Sequence, residues 1–192
     1  MKCTVAAAIM AMGVAGAASA QTAEFKCPAS GTQFTYKAGP VERINTVTGQ
    51  DGNVCLVSSI SDGKTEALRV HWGLVGSVDA QGESFAGGLD LKSLWPLKVG
   101  NTTTNSVTVI GRDGKSYTST ITLVVAAYEK VAVPAGTFDA FRVEEVKAGS
   151  TARNIHWWTP ALAYSVKESF PDWRDFSKVI TLELTSVKPA AK

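Results

Sequence analysis

From residue 32 to residue 187 the chain runs through short segments in which apolar and polar residues alternate, each closed by a Gly-, Pro- or Asp-bearing turn. A period of two puts the two sets on opposite faces of a strand, and those turn residues supply the conformations that reverse the chain. Segments at 32–37, 41–48, 54–60 and 67–72 predict a first meander. Asp62-Gly63, between the third and fourth, is a tight-hairpin signal. In the fourth, Leu68, Val70 and Trp72 share one face, and Arg69 and His71 the other. Residues 75–88 are Gly-rich with no clear period. Residues 89–94 predict one or two helical turns, stopped at Trp95-Pro96 because a residue before proline avoids the α region. Strand resumes at 96–100. A longer second meander follows, with strands at 102–110, 116–130, 138–146, 153–159, 162–168 and 177–187. The 116–130 segment is long for one strand and predicts a bend or bulge. Residues 170–175 read as a polar-aromatic hairpin loop, and the tail from Lys188 as frayed chain. Roughly ten strands in hairpin order and little helix predict an all-β fold. Its expected form is a single curved antiparallel up-and-down sheet, half-barrel or barrel-like.

The first twenty residues have a different character. Lys2 is followed by an apolar run from Val5 to Ala18, and Ala18-Ser19-Ala20 is a small-x-small cleavage site. Residues 1–20 are therefore expected to be a secretory signal peptide, and 21–192 a single β-rich domain. Cys3 leaves with the signal, and Cys27 and Cys55 remain. An even count in an exported chain reads as one disulfide. The compact, Ala-rich signal points to a bacterial periplasmic or secreted protein. A mature chain of about 170 residues suffices for one domain with a sizeable core. Loss of Lys2 takes the formal charge from +2 to +1. A near-neutral chain without basic clusters argues against nucleic acid as a partner, and no mature segment is apolar for the length of a membrane span.

Val133-Pro-Ala-Gly-Thr-Phe-Asp-Ala-Phe-Arg-Val143 and Trp158-Thr-Pro-Ala-Leu-Ala-Tyr-Ser-Val166 resemble the signature of an uncharacterised family of exported bacterial envelope proteins. That signature is V-P-A-G-T-F followed by an aromatic-x-P strand pair, and Pro96-Leu-Lys-Val-Gly100 fits its upstream element. The resemblance covers about residues 94–168 and implies a curved antiparallel sheet in the style of lipoprotein-carrier half-barrels. It attaches no catalytic residue. Two positions depart from the pattern. Ala163 stands where the family has Gly at a turn, and Ser165 where it has an apolar residue.

Candidate chemistry is sparse. A metal site shared by His71 and His156 would need them on adjacent strands with added carboxylates. No G-x-S-x-G occurs. Glu144, Glu145 and Glu168 read as ion-pair partners of Arg142, Arg153 and Lys167 rather than as a glycosidase pair. No catalytic residue, metal or cofactor is expected. The aromatic inventory is richer. In a strand Trp157 and Trp158 must point to opposite faces. With Ile155 and Trp157 set toward the core, His156 and Trp158 become candidate binding residues on the other face, joined by Trp173 in the 170–175 loop. The expected function is an exported, non-enzymatic, envelope-associated binding domain. Its expected partner is an apolar small molecule or an envelope protein. The alternative is a carrier that holds an apolar ligand, a lipid for instance, in the concavity of the sheet.

Overall fold

A computed structural model describes residues 21–78, 84–87, 89–110, 114–172 and 175–191. The predicted signal peptide and Trp173 lie outside them. The strands are β1 Gln33–Ala38, β2 Val41–Asp51, β3 Val54–Ser61, β4 Lys64–His71, β5 Val75–Val78 and β6 Ser84–Gly87, then β7 Thr102–Ile110, β8 Ser116–Val133, β9 Gly136–Lys147, β10 Arg153–Thr159, β11 Tyr164–Asp172 and β12 Asp175–Lys188. They form one antiparallel sheet in the order β5-β4-β3-β2-β1-β12-β11-β10-β9-β8-β7-β6. Two meanders thus join at the middle, where β1 pairs with β12, and the sheet curls into a half-barrel.

Most turns follow the sequence. Asp62 and Gly63 both have positive φ, 51° and 72°, which is the primed two-residue turn that matches the twist of a hairpin. Ser61 pairs with Lys64 across it. The long strand β8 shifts register between Val125 and Ala127, the predicted bulge. Ala163 keeps a left-handed turn at φ 52° although it is not glycine. Three expectations are corrected. Residues 75–78 and 84–87 are the edge strands β5 and β6, which a Gly-rich composition concealed. Among the described residues, helix is limited to a 3-10 turn at Lys92–Leu94. Residues 96–100 are not a strand; Leu97 makes only an isolated bridge to Ala23.

The register fixes the faces. Across the sheet, Val143, His156, Glu168 and Leu182 stand opposite one another in turn. Leu184, Tyr36 and Arg43 continue the row through β12, β1 and β2, and Asn45 with Ser59 lies one step along. This is the inner face. At one end it is packed solid: Val107, Ile121, Leu123, Phe141, Val143 and Trp158 lie under Leu91, Leu94 and Leu97. Asn101 and Asn105 hold that covering segment. The Asn101 amide donates to the carbonyls of Leu94 and Pro96, and Asn105 Oδ1 accepts the Asp90 amide proton. Phe25, in the N-terminal segment, packs against Trp72 and Trp95 at ring separations of 5.5 and 5.6 Å. The Cys27–Cys55 disulfide fastens that segment to β3, with Cα atoms 5.6 Å apart.

Trp157 and Trp158 do point to opposite faces, but their environments are the reverse of the expectation. Trp158 is fully buried, its ring edge-on to Trp95 at 5.2 Å. Trp157 is half-buried on the other face, where its indole donates to Glu129 at 2.8 Å. Alternation gives the parity of a strand but not which face is covered. Here the covering comes from residues 89–97, far away in sequence.

Candidate functional site

Beyond the packed end, the inner face opens into a recess of about 220 Å³ between the β2–β4 sector and β11. Its polar floor arises from strand alternation. On β2, Arg43, Asn45 and Val47 share a face, and β3 sets Ser61, Ser59 and Val57 opposite them. Leu68 and Val70 on β4 add an apolar wall, and Glu66 an exposed carboxylate at the rim. Tyr164 and Glu168 close the far side. Gly73, at φ 68°, completes the wall. A Cβ there would lie 3.2 Å from the Trp158 indole nitrogen, so the absent side chain lets the indole back the recess.

Asn45 is 8% exposed, and its amide nitrogen donates to the Tyr164 hydroxyl at 3.4 Å. Its Oδ1 is buried without a hydrogen-bond partner among the described residues. A buried acceptor left unmet costs free energy, and because Asn45 lines the recess, a water or a ligand donor there can meet it. Burial pushes the Tyr164 phenol well above its ordinary range, with Glu168 adding to the effect, so it stays protonated and able to donate. Tyr36 is likewise raised by burial, and its hydroxyl donates to the Ser165 carbonyl. Arg43 makes no ion pair within 4.0 Å among the described residues. It acts on Glu168 through the field alone.

Behind Glu168 lies His156. Its Nδ1 is 3.8 Å from Glu168 Oε1 and its Nε2 4.0 Å from Glu145 Oε2. Burial alone would lower the pKa of His156, but pairing with Glu168 and the charge of Glu145 outweigh it and raise the pKa above 6.5. Burial would likewise raise Glu168, yet His156 and then Arg43 pull it below 4.5. The raised imidazole contributes stability that is full below 6.5 and fades as pH rises through its folded value. The lowered carboxylate contributes above 4.5 and is lost as pH falls through its folded value. The two windows overlap between these ordinary values. His156→Gln should therefore destabilise most near pH 5.5 and less by about pH 9. Urea midpoints at both pH values measure this, and a pH-independent difference contradicts it.

The remaining candidates sort as follows. His156 and Trp158 share the inner face, His156 beside the recess and Trp158 behind its wall. His71 alternates with Val70 on β4 and so lies on the face away from the recess, whereas His156 lies on the inner face, so the two do not share a site. Glu144 pairs with Arg142 and Arg153, as expected of a structural carboxylate. Lys167 pairs with Glu183, not Glu168. Arg43 and Asn45 escaped sequence reasoning. The usable signal was their phase: both share a face with Val47, which puts two polar side chains on the buried side of a strand.

The architecture has counterparts among solved structures. The hypothetical lipoprotein YmcC from Escherichia coli superposes with a TM-score of 0.52 at 12% identity, over 84% of this chain and 85% of that one. A Bacteroides fragilis protein with a YmcC-like fold gives 0.50 at 15% identity, over 86% and 99%. At these identities the likeness is one of fold. No family model and no curated protein matches the sequence. No helix among the described residues is long and apolar enough to cross a membrane.

Proposed function

We propose that this chain is an exported domain of the bacterial envelope, periplasmic or secreted after loss of residues 1–20, that binds a small ligand in the inner recess without transforming it. The observation that carries this reading is that, among the described residues, the buried Asn45 Oδ1 accepts no hydrogen bond and the neighbouring Arg43 makes no ion pair, in a recess walled by the packed end of the sheet. Small-molecule sites have this form: a concave surface, mostly preformed, with a few placed polar groups. His156 serves the site indirectly by keeping Glu168 charged, and Trp158 supports the wall. The names of the two neighbours, a hypothetical lipoprotein and a putative exported protein, fit the compartment. Transport of an apolar ligand is the weaker reading. The curl of the sheet supports it, but a floor of Arg43, Asn45, Ser59 and Glu168 would be desolvated without compensation by a lipid chain.

Native mass spectrometry of the protein purified from its own cell envelope tests the proposal. The wild type should carry a non-covalent small-molecule adduct that Asn45→Leu loses. An adduct retained in Asn45→Leu, or a bare wild type, contradicts it.

A further inference from the structure

We infer that the ligand is a small aliphatic amino acid in its zwitterionic form, its carboxylate on Arg43 and its ammonium between Glu168 and Asn45 Oδ1; this rests on the recess being the binding site.

The charges on the walls select both ends. Arg43, half-buried, makes no ion pair within 4.0 Å among the described residues and can take an anionic or strongly accepting group. Asn45 Oδ1 accepts from nothing among the described residues and can take a donor. Glu168 is held as a carboxylate and faces the same space. A purely anionic ligand would meet Glu168 and the rim carboxylate of Glu66. A purely cationic one would meet Arg43. A neutral polyol would satisfy Asn45 but leave the guanidinium with only the more distant charge of Glu168 to answer it. Opposite charges on one small molecule satisfy all three groups. Arg43 and Asn45 lie two residues apart on one face of a strand, about 7 Å between Cα atoms. Side chains converging from that spacing can reach the two ends of an α-amino acid.

Size and lining select the rest. The recess, at about 220 Å³, is smaller than the roughly 300–1,000 Å³ of sites for drug-sized ligands. Leu68 and Val70 offer an apolar wall for an aliphatic side chain. The Tyr164 hydroxyl, still protonated, can add a hydrogen bond to the carboxylate.

Isothermal titration of the purified protein at pH 7 tests this with L-leucine, L-leucinamide, 4-methylpentanoate and glucose. The amide removes the negative charge, and 4-methylpentanoate removes the ammonium. L-Leucine should bind, and each charge-deleted analogue should bind at least about tenfold more weakly. Arg43→Gln should weaken L-leucine by a similar factor but leave L-leucinamide bound no more weakly, because the variant also removes a like charge that repels the ammonium. The analogue comparison uses the wild type alone, so it stands even if a variant misfolds. Failure of L-leucine to bind, or equal binding of L-leucinamide, overturns the inference. If glucose binds instead and Asn45→Leu abolishes it, the recess remains the site and the ligand class is wrong. If none of the four binds and no envelope adduct depends on Asn45, the site itself is wrong.

Discussion

Trp158→Ala should lower folding stability by about 3–5 kcal/mol, the cost typical of emptying a fully buried aromatic site, and the melting midpoint by about 10 °C. The indole has no exposed surface, meets Trp95 edge-on, and sits in the cluster that includes Phe141, Val143 and Leu123. Close packing on all sides leaves little scope for collapse around the cavity. Trp157→Ala should cost clearly less. Trp157 is half-buried, and its partners are the Glu129 carboxylate and a Lys167 ammonium 5.6 Å from its ring. Urea titrations of both variants decide the matter. A larger loss for Trp157→Ala would mean that the two faces have been assigned the wrong way round.

Opening the disulfide should have a comparable effect. Cys27 and Cys55 are 28 residues apart, and a crosslink of that span stabilises by about 3–4 kcal/mol through the entropy of the unfolded chain. The bridge has a local role as well. It ties the N-terminal segment to β3, and that segment brings Phe25 against Trp72 and Trp95 and Ala23 against Leu97. The Cys27→Ser, Cys55→Ser double variant should lose that stability and show greater amide exchange at Ala23 and Leu97, whose mutual backbone hydrogen bonds of 3.1 and 2.8 Å hold the segment in place. Unchanged exchange at both amides would separate the crosslink from the covering of the inner face.

Local chemistry was legible in the sequence, and long-range covering was not. The Asp62-Gly63 hairpin, the β8 bulge and the bounds of β7 and β10 follow from turn residues and alternation, which act over a few positions. Strands β5 and β6 escaped because Gly weakens the pattern that marks a strand. The buried state of Trp158 escaped because its cover, Leu91 to Leu97, lies more than sixty residues upstream and is held by Asn101 and Asn105. In the sequence Glu168 reads, with Glu144 and Glu145, as an ion-pair partner of Arg142, Arg153 or Lys167. The β11 register turns it inward instead, opposite His156. Arg43 and Asn45 looked like ordinary strand polars until β1, β3 and β11 closed around them. The site is thus a product of the curl: residues from β2 and β11, remote in sequence, meet only because β1 and β12 join the two meanders.

The central claim is that ligand recognition takes place on the inner face, in the recess floored by Arg43 and Asn45. Amide and indole NMR shifts recorded while L-leucine is titrated into the labelled protein test it most directly. Shifts should be concentrated at Arg43, Asn45, Ser59 and Glu168, with the Trp158 indole signal moving behind Gly73. Shifts centred instead on Trp157 and Glu129 of the outer face, or none at saturating ligand, would contradict it.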